Sequence, residues 1–204
     1  MAPLARRTPF VGLTGAVAAG KSSAIDALAR LGASTLSSDA VVHELLETER
    51  VRDLLAGRWG PGVAPEGRVD RAEVGAIVFE RPEELAWLEA TLHPLVGERI
   101  KAWRESLDPD APIAVVEVPL LFETGLDAAC DATICIVAPD EVRAERAGAR
   151  GIDALEQRSA RQLSQDEKAS RATYVVENDG SLERLEQRLA NLLPGIGRRA
   201  GKPA

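Results

Sequence analysis

Apolar runs alternate along this chain with stretches of helical spacing. Phe10-Val11-Gly12-Leu13, Ala33-Ser34-Thr35-Leu36, Ile113 to Val118, Ala132 to Val137 and Tyr174 to Glu177 each have the length and apolar character of a buried strand. After the first of them, Ile25, Leu28 and Leu31 repeat at helical spacing within Ser23 to Leu31. Near-continuous apolar strands separated by helices predict an α/β protein with a parallel sheet covered on both faces. Ligands in such sheets bind beyond the carboxyl ends of the strands. That rule selects Gly15 to Ser22, Ser37 to Asp39, Pro119 to Glu123, Pro139-Asp140 and Asn178 to Gly180.

The second and third runs are separated by a long segment, about Val41 to Asp110, that reads as helical. Arg81-Pro82-Glu83-Glu84 has the proline and acids of a helix start, and Leu85, Leu88 and Leu92 continue an apolar face. A crossover needs far fewer residues, so this segment predicts a helical insertion. Trp59, Trp87 and Trp103 all fall in it, where core packing explains them better than stacking on a ligand base.

Between the first strand and the first helix stands Gly15-Ala16-Val17-Ala18-Ala19-Gly20-Lys21-Ser22, which fits G-x-x-x-x-G-K-[ST]. Strand, glycine loop and helix in that order are the context such a phosphate-binding loop requires. Glycine lets the backbone turn tightly and approach a ligand without a Cβ in the way. Successive N–H groups at a helix start then form a nest for phosphate oxygens. Lys21 adds a point charge for the terminal phosphates, and the Ser22 hydroxyl is placed to ligate Mg²⁺. At the end of the second run, Asp39 reads either as a helix N-cap or as an acid serving an attacking hydroxyl or holding Mg²⁺ through water.

Composition narrows the function. The 204 residues suffice for one α/β domain with an insertion, and a formal net charge of −7 argues against a general nucleic-acid surface. Cys130 and Cys135 lack metal-ligand spacing and read as reduced core thiols, which suits the cytoplasm. No apolar stretch reaches the length of a membrane span.

The chain resembles the dephospho-coenzyme A kinases over nearly its whole length. The resemblance is carried by Val11-Gly12-Leu13-Thr14-Gly15, Ser38-Asp39-Ala40-Val41-Val42-His43-Glu44-Leu45 and Leu92-His93-Pro94-Leu95-Val96. Val118-Pro119-Leu120-Leu121-Phe122-Glu123, Arg158-Ser159-Ala160-Arg161-Gln162-Leu163-Ser164-Gln165-Asp166-Glu167-Lys168 and Glu177-Asn178-Asp179-Gly180-Ser181 extend it. It implies a single P-loop kinase domain, residues 8–204, of three layers around a five-stranded parallel sheet. A substrate-binding helical insertion at about 41–110 and a small helical lid at about 143–171 belong to that picture, with 1–7 and 195–204 as flexible ends.

The implied reaction is transfer of the ATP γ-phosphoryl group to the ribose 3′-hydroxyl of dephospho-coenzyme A, the last step of coenzyme A synthesis. By the same resemblance, Asp39 and Lys21 are catalytic, and Gly15, Ala16, Val17, Ala18, Ala19, Gly20, Lys21, Ser22, Ser23 and Asn178 bind ATP. Arg146 and Arg150 are lid arginines, and Asp39, His93 and Leu121 contact the acceptor. Mg²⁺ is bound at Ser22, and the partners are ATP and dephospho-coenzyme A, without nucleic acid or membrane, on a monomer or weak homo-oligomer.

The family loop usually reads Gly-Gly-Ile-Gly-Ser-Gly-Lys-Ser-Thr, so Ala16, Ala18, Ala19 and Ser23 are departures, and Ala18 carries a cost if its φ is positive. Ser37 stands where the family often has a second acid, and Glu117 is given no metal role. His43 reads as a solvated or packed histidine one turn after Asp39. From Asp140 to Arg171 seven bases face seven acids, so charge alone does not mark a phosphate-binding lid there. A nucleoside or nucleotide kinase of the same fold is the nearest alternative, which an acceptor screen separates. A GTP-dependent switch expects Asn-Lys-x-Asp after a late strand, and the sequence has none.

Overall fold

A computed structural model describes residues 8–108, 111–148 and 162–200. Five strands form one sheet: β1 (Phe10–Gly15), β2 (Ser34–Ser37), β3 (Ala114–Glu117), β4 (Ala132–Val137) and β5 (Tyr174–Glu177). Their order is β2-β3-β1-β4-β5, all parallel. The apolar runs therefore mark the strands correctly, with β2 beginning one residue later than the run predicted. β1 lies at the centre, pairing Val11 with Val115 of β3 and Leu13 with Ile134 of β4. Such a strand is buried on both faces, which is why all six of its residues are buried.

Alternation along β1 builds two cores. Val11 and Leu13 face α1 (Lys21–Arg30) and the C-terminal helix, packing with Ala24, Ala27, Leu28, Leu185, Leu189 and Ile196. Gly12 points to the opposite face, where an added Cβ would lie 2.8 Å from Leu121 Cδ2. The segment after β3 thus rests almost on the backbone of β1. Cys135, free and buried in β4, has its thiol pushed up to about 11, first by burial, with Lys168 and Lys21 pulling the other way.

One compact unit comprises residues 1–36 and 107–204, the other residues 37–106. The second holds α2 (Ser38–Leu46), α3 (Glu49–Trp59), α4 (Arg71–Glu80) and α5 (Pro82–Glu105). Thr48 caps α3 by accepting from Val51 N, and Asp70 caps α4 by accepting from Ala72 N and Glu73 N. Pro82 occupies the first turn of α5, where its missing N–H costs nothing, with Glu83 and Glu84 beside it.

The tryptophans differ from the buried core residues expected of them, since all three are only half-buried. Trp59 and Trp87 instead meet edge to face at 5.3 Å, and the Arg58 guanidinium lies 5.2 Å over the Trp87 ring. Glu84 closes this cluster by accepting from Arg58 Nε at 2.9 Å and Trp59 Nε1 at 2.8 Å. The Trp59 N–H finds its partner in a buried carboxylate, since Glu84 is itself only 8% exposed.

The remaining helices are α6 (Asp140–Gly148), α7 (Gln165–Arg171) and α8 (Leu182–Ala200). The expectation of a flexible end from residue 195 is corrected here. α8 runs through Pro194 to Ala200, because Leu185, Leu189 and Ile196 hold one apolar stripe and Ile196 is 1% exposed. Residues 1–7 and 201–204 lie outside the described residues.

The hydrogen bond from Arg58, then that from Trp59, holds the Glu84 carboxyl below the usual carboxylate range. A depressed folded-state pKa contributes stability that is present above the unfolded value and lost as pH falls through the folded one. Glu84→Gln is expected to lower the melting temperature of the full chain by a few degrees at neutral pH. It is also expected to flatten the loss of stability below about pH 4, both read by calorimetry across a pH series.

Candidate active site

β1 delivers Gly15 at its carboxyl end and α1 begins at Lys21, so the loop is the turn between two elements that share a core. At Gly15 a Cβ would stand 2.4 Å from the carbonyl oxygen of Ile136, which only glycine avoids. At Gly20 φ is +96° and a Cβ would lie 2.0 Å from Asn178 Nδ2. Both fixed glycines of the motif are thereby accounted for by close backbone approach.

The carbonyls of the loop are held from outside. Lys21 Nζ donates to Gly15 O at 3.1 Å and to Ala16 O at 3.2 Å. Arg143 Nε donates to Val17 O at 3.1 Å. Arg146 Nη1 reaches Ala18 O and Ala19 O at 3.5 and 3.4 Å, and Asn178 Nδ2 donates to Ala19 O at 2.9 Å. A trans peptide points its N–H opposite its C=O. Anchoring successive carbonyls on cations and an amide therefore favours a concave row of donors on the other side, suited to an anion. The start of α1 adds its dipole in the same sense.

Asn178 is the hinge of this bracing. It is 2% exposed, its N–H bonds Val137 O at 2.7 Å, and its Oδ1 accepts from Arg146 Nη2 at 3.2 Å. Its backbone ties it to β4 while its side chain joins the loop to α6. Ala18 has a φ of +61°, so the departure singled out in the sequence sits in left-handed backbone.

Ser22 is exposed at the second position of α1 and Ser23 is half-buried. Leu121 is fully buried against Gly12, its side chain committed to the core. In the helical unit Asp39 is exposed in the first turn of α2, His43 is exposed one turn on, and His93 is exposed beside Pro94 in α5. Arg150 lies outside the described residues.

The sequence assigns no individual role to Arg143, Glu123, Gln165 or Lys168, although it selects Pro119 to Glu123 as a ligand-side segment and places the other three within the expected lid. Gln165 clamps both backbone groups of Ala138, receiving its N–H at 2.9 Å and donating to its C=O at 3.1 Å. Lys168 is fully buried and pairs with Glu123 at 3.0 Å. Arg143 and Lys168 carry no local signal, since the segment Asp140 to Arg171 has equal numbers of both charges.

A sequence model of the dephospho-CoA kinase family matches residues 9–184. The chain belongs to that family. A dephospho-CoA kinase of Deinococcus radiodurans is 42% identical over 183 residues, 88% of each chain. A crystal structure of a Thermus thermophilus protein superimposes with a TM-score of 0.78 at 35% identity, covering 93% of this chain and 98% of that one. The dephospho-CoA kinase of Campylobacter jejuni gives 0.68 at 25% identity, covering 93% and 97%. The family's chemistry is that of a phosphotransferase with an alcohol group as acceptor, in the pathway to coenzyme A. Among the described residues no helix is long and apolar enough to cross a membrane.

Glycine adopts the observed φ of Ala18 without a Cβ penalty. Ala18→Gly is expected to raise stability by about 1 kcal/mol, measured by denaturant unfolding of the full chain.

Proposed function

We propose that this chain carries out the family reaction, moving the γ-phosphoryl group of ATP to the ribose 3′-hydroxyl of dephospho-coenzyme A, with roles assigned as follows. The loop amides other than that of Ala19, which donates to Ala16 O at 3.2 Å, and the start of α1 cradle the nucleotide phosphates. The observation that carries this reading is that five successive carbonyls, Gly15 to Ala19, each accept from a side chain. Lys21, now resting on Gly15 O and Ala16 O, turns its ammonium to the terminal phosphates. Arg146 holds its two carbonyls at 3.4–3.5 Å, near the limit of a hydrogen bond, so its guanidinium is readily given up to an anion. Arg150 joins it in the lid role, and Asn178 keeps the loop in register.

Mg²⁺ takes oxygen ligands and keeps most of its waters when it travels with a nucleotide. The exposed Ser22 hydroxyl at the head of α1 fits that requirement, with Ser23 beside it. The ion, when bound, would neutralise charge on the β- and γ-phosphates. Asp39 orients the acceptor hydroxyl and takes its proton as the hydroxyl oxygen attacks phosphorus. Its exposure in the first turn of α2 keeps its carboxylate available for that contact. The helical unit, with His93, receives the acceptor, whereas the acceptor contact expected of Leu121 does not fit its complete burial against Gly12. The protein works in the cytoplasm, as a monomer or weak homo-oligomer, on small molecules alone.

Incubation with ATP, Mg²⁺ and dephospho-coenzyme A is expected to add one phosphate to the acceptor, read by mass spectrometry. An unphosphorylated acceptor beside active controls would refute the assignment. Asp39→Asn is expected to bind ATP normally and to lose roughly 10²–10⁴-fold in kcat. A wild-type rate in that variant would leave Asp39 with a structural place at the helix start.

A further inference from the structure

Lys168 is 0% exposed, although Asp166-Glu167-Lys168 reads as a solvated helical face. Its Nζ donates to the carbonyl of Pro119 and lies 3.0 Å from Glu123 Oε1. The same Pro119 carbonyl accepts from Thr14 Oγ1 at 3.3 Å. Glu123 Oε1 also accepts from Leu163 N at 2.8 Å. Thr14 is itself 0% exposed and adjoins Gly15, the first residue of the phosphate loop. One carbonyl oxygen thus joins the end of β1, the exit of β3 and the middle of α7.

Stability alone does not explain an ammonium at this place. Removing two charges from water costs several kcal/mol per ion, and an apolar pair of similar volume is often as stable. A methionine would fill the space of the lysine stem. What it cannot supply is a donor to Pro119 O. Lys168 also lies within electrostatic reach of Cys135, as Lys21 does, and Cys135 is the register partner of Thr14. Both ammonium groups therefore act on the strand ends beneath the loop.

We propose that Lys168 is a positioning residue for phosphoryl transfer, fixing the Pro119 carbonyl and through it Thr14 and the first peptide of the phosphate loop. The proposal rests on reading that loop as the ATP phosphate site. Neither Lys168 nor Thr14 touches the reacting atoms, so the effect is on the placement of groups that do. Misplacement of a reacting array by about 1 Å costs on the order of 100-fold in rate.

Three variants separate positioning from charge balance, each followed by melting temperature, ATP affinity, transfer to dephospho-coenzyme A and slow hydrolysis of ATP to water. Lys168→Met alone leaves Glu123 unpaired and is expected to lose both stability and kcat. In Lys168→Met/Glu123→Gln the charges balance, so the melting temperature is expected to recover while kcat stays roughly 10- to 100-fold low at near-normal KM for ATP. Thr14→Val keeps side-chain volume and removes the other donor to Pro119 O. It is expected to stay folded with a smaller loss of kcat.

Recovery of kcat together with stability in the double variant would make Lys168 merely structural and overturn the proposal. If the lysine variants fail to fold, Thr14→Val decides, and a wild-type kcat there overturns it. A wild-type protein that hydrolyses ATP without phosphorylating dephospho-coenzyme A refutes the acceptor assignment only, and the hydrolysis rates still test Lys168. A wild-type protein inactive in both assays overturns both readings.

Discussion

The anchoring of the loop carbonyls is the constraint on which the site depends. A glycine-containing loop of this length has many conformations in isolation, and fixing each residue costs about 1–2 kcal/mol. Here the lasting anchors come from distant parts of the chain, Arg143 of α6 on Val17 O and Asn178 at the end of β5 on Ala19 O, with Lys21 and Arg146 on the carbonyls beside them. Each is placed by an element of the same sheet unit. The loop is thus shaped from behind by the fold, leaving its concave side to the ligand.

This arrangement explains why the site tolerates alanines. Ala16, Ala18 and Ala19 present only methyl groups, and the carbonyls that matter are the same in any residue. Ala16 and Ala19 are buried, Ala19 completely, so their methyls add to the core. The left-handed Ala18 is the strained member, and its neighbours' hydrogen bonds hold it there. Binding power in this loop lies in backbone geometry, whereas side-chain chemistry is confined to Lys21 and Ser22.

Much of this was legible in the sequence, for a physical reason. Central parallel strands are apolar on both faces, so Val11, Val115 and Ile134 announce themselves, and the glycines at 15 and 20 are dictated by contacts under 2.5 Å from an added Cβ. The group around Lys168 was hidden because burial of a charge is decided by partners 45 and more residues away, Glu123 and Pro119. Arg143 was hidden likewise among seven bases and seven acids. The tail after Gly195 misled through its glycines and arginines, since one isoleucine in phase with Leu185 and Leu189 was enough to extend the helix. Trp59 and Trp87 pack on each other and on the Arg58–Glu84 pair and remain half-buried, an arrangement that depends on partners about 25 residues apart.

Gly12 gives the molecule a fixed gauge. The missing side chain brings the Leu121 methyls to within touching distance of the β1 backbone, so the peptide leaving β3 rides at a height set by the width of one glycine. Pro119, two residues before that contact, inherits the height and passes it on through its shared carbonyl to the mouth of the nucleotide loop. A dimension fixed in the hydrophobic interior thereby becomes a dimension of the glycine loop, and thickening the core by a single methyl at position 12 amounts to raising the peptide on which that loop's entry rests.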